Sequence, residues 1–298
     1  MNEFPKVSVI IMSYNHADYI TQSIMSVVNQ TYKNVELIVT DDASKDTSAI
    51  IIKQLAEQHH FKYIAHEVNA GTNKNILSGL ALVTGEYLAI LASDDYFIED
   101  KIEKQLKFIL ENKLDGVYST GYVVENGKPT LIPIPEIFSS GNNKDITRYV
   151  YLNDTGPLFQ SGLFSMSMIS ALSYLRNEYK LDDMPFLIKA FENYKVRYLN
   201  QPSFYYRLHP NNSYKNYWNT FPMRIDILSR LFPEEYKTKG LGNIIFSQGQ
   251  FLLMDKKFFL ALKYFCASLF LHFSFRNIKS MALHIAVYFK QKLMPGKK

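Results

Sequence analysis

The chain has 298 residues, of which 47% are hydrophobic and 20% charged, and a formal net charge of +5. That length suits one large domain or one domain with a sizeable appendage, and the single cysteine, Cys266, excludes an internal disulfide and fits a reducing compartment. The positive charge is concentrated: residues 251–298 hold nine Lys and Arg against one acid, Asp255, a distribution unlike that of a general nucleic-acid binder.

Met1 to Lys6 runs straight into a strand pattern with no basic-then-apolar leader, so export is not expected. Val7 to Met12 is a nearly continuous apolar run, as in a strand buried on both faces. Asp18 to Gln30 then places Ile20, Ile24, Val27 and Val28 on one helical face. A second strand ends at Thr40, a helix carries Ile50, Ile51 and Leu55, and Phe61 to Ala65 reads as a third strand. Asn75 to Leu82 has Ile76, Leu77 and Leu80 at helical spacing, a fourth strand ends at Ser93, and a helix with Ile102, Leu106, Ile109 and Leu110 follows. Val117 to Val124 is the next strand. Strands alternating with helices imply a mostly parallel sheet with right-handed crossovers.

From Asn126 to Asn153 the pattern breaks at Pro129, Pro133, Pro135 and Gly141-Asn142-Asn143, which mark irregular connections. Helical patterns return at Ser165–Arg176 and Asp183–Tyr194, and a short strand, Val196–Leu199, precedes Pro202. Phe258 to Phe275 is an apolar run broken mainly by Lys263 and His272. It falls short of the roughly 20 residues needed to span a bilayer. Its basic flanks suit a helix lying on an anionic membrane surface, and a helical hairpin packed on the rest of the protein suits it equally.

Two acidic pairs, Asp41-Asp42 and Asp94-Asp95, follow directly on the second and fourth strands. The carboxyl ends of strands in an open α/β sheet are where ligands bind, and gathering carboxylates there is costly without a cation or a donor-bearing ligand. The first strand-to-helix turn, Met12 to Asp18, has no glycine, so it lacks the dinucleotide fingerprint, and no Walker A sequence occurs. A nucleotide diphosphate on this sheet would need a divalent cation held by carboxylates. Helix capping by Asp95 or Asp100 is the plain alternative for Ser93-Asp94-Asp95.

The ordered set of motifs decides between these readings. Val7-Ser8-Val9-Ile10-Ile11-Met12-Ser13-Tyr14-Asn15, Ser26-Val27-Val28-Asn29-Gln30-Thr31-Tyr32 and Glu36-Leu37-Ile38-Val39-Thr40-Asp41-Asp42-Ala43-Ser44-Lys45-Asp46-Thr47 resemble the opening of the family-2 glycosyltransferases. Asn69-Ala70-Gly71, Asn75, Gly79, Thr84-Gly85-Glu86-Tyr87, Ser93-Asp94-Asp95 and Tyr206-Arg207-Leu208-His209-Pro210-Asn211-Asn212-Ser213 continue the resemblance in order. It implies an A-type, Rossmann-like glycosyltransferase domain over residues 1–215, with nucleotide-binding (1–125) and acceptor-binding (126–215) parts, and a helical, basic, aromatic-rich extension over 216–298.

The same resemblance implies an inverting, metal-dependent transfer from a nucleotide-diphosphate sugar, a UDP-sugar above all, to a glycan or lipid-linked hydroxyl in surface polysaccharide synthesis. Tyr14 would flank the base and Asp42 hydrogen-bond it, while Asp41 shapes the turn. Ser13, Asn15 and Asn75 would line the donor cleft, and Lys74 stands where many relatives carry a phosphate-facing arginine. Asp94 falls at the ribose or the water shell of the metal, and Asp95 at Mn2+ or Mg2+, with His209 near the metal and diphosphate. Asp183 is the expected base, with Asp182 orienting it or the acceptor; capping of the following helix, with Pro185 in its first turn, is the structural alternative. The enzyme is expected in the cytoplasm, peripheral at the inner face of the cell membrane. The rivals are a sugar nucleotidyltransferase, which the glycine-free first turn disfavours, and an inactive scaffold of a glycan-synthesis complex.

Overall fold

Successive strands and helices over the first hundred residues bear out the alternating pattern. In the computed structural model, which describes residues 5–153, 155–172, 183–210, 212 and 217–293, these are β1 (Val7–Ser13), α1 (Ala17–Val28), β2 (Val35–Asp41), α2 (Ser48–His59), β3 (Lys62–Ala65), α3 (Thr72–Leu80), β4 (Tyr87–Ala92), β5 (Tyr96–Phe97) and α4 (Lys101–Asn112). The chain continues through β6 (Gly116–Glu125), β7 (Lys128–Leu131), α5 (Ile137–Ser140), α6 (Asn143–Asn153), a 3-10 turn (Phe159–Ser161), β8 (Leu163–Ser165), α7 (Met166–Ala171), α8 (Asp183–Asn193) and β9 (Val196–Arg207). Four helices follow: α9 (Tyr217–Leu231), α10 (Glu234–Met254), α11 (Phe258–Leu271) and α12 (Phe275–Leu293).

The strands form one sheet in the order β3-β2-β1-β4-β8-β6-β9-β5, with β7 hydrogen-bonded to β6 beside that path. β1 to β4 pair in parallel, and β6 pairs in parallel with β9 over most of its length. The shorter ladders of β8, β7 and β5 are antiparallel. The architecture is therefore α/β with a mostly parallel sheet and a helical C-terminal part. Val9, Ile11, Val39, Ala89 and Leu91 meet Ile20, Ile24, Ile52, Ile102 and Leu106 in the core beneath it. Ile52 rather than Ile50 anchors α2, because Ile52 lies three residues before Leu55 on the inner face while Ile50 is 60% exposed.

Two stretches are more regular than their prolines suggest. The segment 126–153, expected as irregular, contains β7, α5 and α6; Pro129 sits in β7, which among the described residues pairs only with β6, and its missing donor costs that ladder little. β9 runs through Pro202 instead of stopping at Leu199. Its register with β6 shifts on both sides of Thr120, the residue opposite Pro202, so a bulge absorbs the absent N–H.

By packing, the chain divides into two units, Met1–Thr147 with Gly156–Pro210 and Arg148–Thr155 with Asn211–Lys298. The second has its own core of Phe246, Leu252, Leu253, Ala261 and Phe265. Gly249 lets α11 approach α10: a Cβ there would lie 2.8 Å from the Phe265 ring. While α11 buries Ala261, Phe265 and Ser268, its outer stripe is also apolar, with Phe259 81% and Phe270 92% exposed beside Leu262 and Cys266. Among the described residues, no helix is long and apolar enough to cross a membrane.

Candidate active site

Parallel register brings the chemistry to one edge. Ser13 pairs with Asp41, and Met12 with Ala92, so Ser13, Asp41-Asp42 and Ser93-Asp94-Asp95 all emerge at the carboxyl ends of β1, β2 and β4. The four carboxylates do not face one another as a single cluster; each has its own set of donors.

Asp41 is buried and accepts from the Ser44 amide at 2.9 Å and the Ser44 hydroxyl at 2.6 Å, holding the turn after β2. Asp42, also buried, accepts from the amides of Ala70 (2.7 Å) and Gly71 (2.9 Å), with His66 Nδ1 at 3.2 Å. Gly71 has φ +86°, a left-handed conformation that aims its amide at Asp42 and would strain another residue. Asp42 thus pins the Asn69–Gly71 loop to the sheet edge.

Asp94 and Asp95 follow β4 in a turn closed by the Asp95 amide on the Ala92 carbonyl at 3.0 Å, and their carboxylates meet different partners. Asp94 Oδ2 lies 3.0 Å from His209 Nε2 and 4.0 Å from His16 Nε2. The imidazole nitrogens of His16 and His209 and the Asp94 carboxylate all lie within 4.8 Å of one another, a donor set that fits a divalent cation. Asp95 is not in this group. Its Oδ1 accepts from the Arg207 amide at 2.9 Å and its Oδ2 from the Gln160 side chain at 2.9 Å. The resemblance set the cation on Asp95 and put Asp94 at the ribose or the water shell of the metal; in the structure both Asp95 oxygens accept from protein donors, while Asp94 faces two histidines. Burial, then the Asp94 charge, pushes the Asp95 carboxyl well above the usual carboxylate range.

The surroundings hold these groups in place. Tyr19 stacks on His209 with centroids 5.0 Å apart, and His16 meets the same ring edge-on at 5.7 Å. His16 Nδ1 is 2.7 Å from the buried Ser93 hydroxyl, and burial lowers its pKa against the opposing pull of Asp94. The Arg207 guanidinium donates to the Asp94 carbonyl and to Gln22 and lies over the Tyr96 ring at 4.4 Å. These contacts tie Arg207 to the turn after β4 and to α1.

The other expected residues fall as follows. Among the described residues the Ser13 hydroxyl and Asn75 Oδ1 are buried with no hydrogen-bond partner, and Asn75 Nδ2 reaches the Ser13 carbonyl at 3.5 Å, so two unsatisfied polar atoms sit together at the end of β1. Tyr14 is 40% exposed beside them in the chain. Asn15 adopts φ 54°, and its side-chain carbonyl accepts from the Lys45 amide at 2.7 Å, tying the first turn to the second. Lys74 lies exposed on α3. Asp183 begins α8, accepts from the Met184 amide at 2.8 Å, and remains solvent-accessible. It is nonetheless ringed by protein, and desolvation raises its carboxyl above the ordinary range. Phe186, one turn on, meets Phe159 edge-on at 5.1 Å, so α8 packs against the 3-10 turn that delivers Gln160 to Asp95. Asp182, Asn211 and Ser213 lie outside the described residues.

Sequence reading passed over His16 and Gln160. His16 stands in the β1–α1 turn, where any side chain can face the ligand edge of such a sheet; Gln160 lies in a segment without periodicity and carries no local signal.

Similar proteins agree with this architecture. A Bacillus subtilis glycosyltransferase, TuaG, assigned to teichuronic acid biosynthesis, is 37% identical over 130 residues, covering 42% of this chain and 50% of its own. The Staphylococcus aureus TarS fragment 1-349 solved with UDP-GlcNAc superposes with a TM-score of 0.61 at 22% identity, over 80% of this chain and 71% of that one. The Pyrobaculum calidifontis mannosyltransferase PcManGT, solved with GDP-Man and Mn2+, gives 0.60 at 15% identity, over 97% of this chain and 81% of that one. At those identities the likeness is one of fold, and the chain spans half or less of the length of the curated relatives it matches. The sequence model of Glycosyl transferase family 2 matches residues 8–172, more than half of the chain, and the protein belongs to that family.

Proposed function

We propose that this chain transfers a sugar, with inversion, from a nucleotide-diphosphate donor, a UDP-sugar, to a hydroxyl of a glycan or lipid-linked acceptor in surface polysaccharide synthesis. The observation that carries this reading is the Asp94–His209 pair at the carboxyl end of β4, one strand from the unsatisfied Ser13 hydroxyl and Asn75 carbonyl at the end of β1. The pair suits a divalent cation, Mn2+ or Mg2+, and the two orphaned atoms suit a polar ligand on the same edge. When bound, such a cation offsets the charge that builds on the leaving diphosphate. TarS and PcManGT, each solved with a nucleotide sugar, support the donor class, and the name of TuaG supports the polysaccharide setting.

Within that cleft, Ser13 and Asn75 would take donor hydrogen bonds, and Tyr14 would pack on the base. Asp42 would reach the base only through lone pairs left over from Ala70 and Gly71. Asp183 would take the acceptor proton. Desolvation raises its pKa, which makes the carboxylate a stronger base than an exposed aspartate. The outer stripe of α11, Phe259, Leu262 and Phe270, beside exposed Lys256 and Lys263, would rest on an anionic bilayer at the inner face of the cell membrane.

Asp183→Asn tests the chemistry: transfer should fall by several orders of magnitude while calorimetric UDP binding in Mn2+ stays within twofold. Turnover that survives the change sinks the base assignment. UDP binding that is equally tight without any divalent cation sinks the metal.

A further inference from the structure

We propose that His16 is a third protein ligand of the cation held by Asp94 and His209, and that this second imidazole makes the site select Mn2+ or Co2+ over Mg2+; the inference rests on the donor-cleft reading above.

Three separate elements converge here: His16 from the β1–α1 turn, Asp94 from the end of β4, and His209 from beyond β9. His16 is held from both sides. Its amide donates to the Ser48 hydroxyl at 3.0 Å, and its carbonyl accepts from the amides of Tyr19 and Ile20 at the start of α1. Its Nδ1 is engaged by Ser93 Oγ at 2.7 Å, so the ring cannot swing away from Asp94 without breaking that bond. This is the arrangement of a metal-binding histidine, in which one ring nitrogen is oriented by a hydrogen bond and the other faces the ion.

The remaining nitrogen has no other use. Nε2 makes no hydrogen bond with the described residues and faces Asp94 Oδ2 at 4.0 Å, too far for a hydrogen bond. In the tautomer that carries its proton on Nδ1, with Ser93 accepting, two lone pairs point at each other across that gap. An ion at roughly 2.1 Å from each fits between them with a small closure. If Ser93 alone accounted for His16, Nε2 would have no reason to be aimed at a carboxylate oxygen that already serves His209.

Metal preference follows from donor type. Mg2+ favours oxygen ligands and keeps its waters, whereas imidazole adds affinity for transition metals along the Irving–Williams order. One carboxylate and two imidazoles should therefore discriminate against Mg2+ more strongly than the Asp94–His209 pair by itself.

The experiment uses the full chain with UDP present. Electron spin-echo spectroscopy of bound Mn2+ should show two directly coordinated 14N nuclei in the wild type and one in His16→Gln. Calorimetric titration with MnCl2 and MgCl2 should show Mn2+ affinity falling by about tenfold or more in the variant, with Mg2+ affinity within about threefold of wild type. A single nitrogen in the wild-type spectrum overturns the proposal even if His16→Gln does not fold. Equal losses for Mn2+ and Mg2+ overturn it as well. Ser93→Ala, which removes only the bond that orients the ring, should weaken Mn2+ by a smaller factor, and unchanged affinity there counts against it. Wild-type protein that binds UDP but no Mn2+ sinks the donor-cleft reading instead.

Discussion

Replacing Lys101 with methionine isolates a buried amine that has no counter-ion among the described residues. Lys101 opens α4 at 1% exposure. Its ammonium donates to Gln105 Oε1 at 2.8 Å and to the carbonyls of Ser161 and Gly162 at 3.2 and 3.4 Å, over the Phe97 ring at 4.7 Å. No carboxylate joins these partners among the described residues, and burial pushes its pKa well below the ordinary lysine value. Between that depressed folded value and the unfolded one of about 10.4, the unfolded chain binds a proton that the folded chain does not. Stability contributed by this site therefore rises with pH across the interval, by up to about 1.4 kcal/mol per pH unit. Below the folded pKa the ammonium is charged in both states and the slope vanishes. Lys101→Met carries no such proton. The offset between the two proteins combines two acceptors left without a donor, about 1–3 kcal/mol each, with relief of a desolvation cost of several kcal/mol. These nearly cancel, so the slope is the quantity to measure. Urea unfolding followed by circular dichroism from pH 6 to 10 should show wild type gaining on the variant as pH rises. Other groups titrate in both proteins and drop out of the difference. A flat difference across the range would refute the claim that burial lowers the pKa of this lysine.

Gln160→Leu removes the amide that donates to Asp95 Oδ2 at 2.9 Å and leaves that buried oxygen unpaired, at a cost of about 1–3 kcal/mol read as a lower Tm; an unchanged Tm would show that Asp95 does not depend on it. Glu36 accepts from Ser8 (2.6 Å), the Thr84 amide and hydroxyl (2.9 Å each) and Lys62 (2.6 Å). Against the upward push of burial, these bonds pull its pKa down to about 2. Because the folded value lies below the unfolded one of about 4.3, its stabilisation is complete above that pH and is lost as pH falls toward about 2. Glu36→Gln should remove that limb of the acid-unfolding curve, and superimposable curves below pH 5 would contradict the assignment.

How much of this was legible depended on whether the signal was local. β1, β2, β4 and the helices between them declare themselves by apolar period, since a strand buried on both faces and a helix buried on one leave different traces. The acid pairs were visible because they interrupt such runs. The continuation of β9 past Pro202 was hidden, because what tolerates the proline is extra β9 residues on either side of it, Asn200 and Gln201 before and one more before Tyr205, and these show only in the pairing with β6. Gln160 was hidden for a similar reason. It reaches Asp95 only because Lys101, Gln105 and Ser119 grip the Ser161 carbonyl next to it, and those three come from α4 and β6. Contacts between elements distant in sequence leave no periodic trace.

The split between Asp94 and Asp95 shows what spacing alone leaves open. Two adjacent carboxylates at a strand end repel, and both cannot be ionised cheaply when buried. The fold answers by giving them unlike surroundings: amide donors from Arg207 and Gln160 for Asp95, and histidines able to share a cation for Asp94. Asp95's raised pKa, set first by burial and then by the neighbouring Asp94 charge, marks it as the member that tolerates a proton. Both residues sit in the turn after β4, and which of them faces the cleft depends on where β9 and the 3-10 turn arrive. The Arg207 amide sits at the end of β9, and its bond to Asp95 is what turns Asp94 toward His16 and His209.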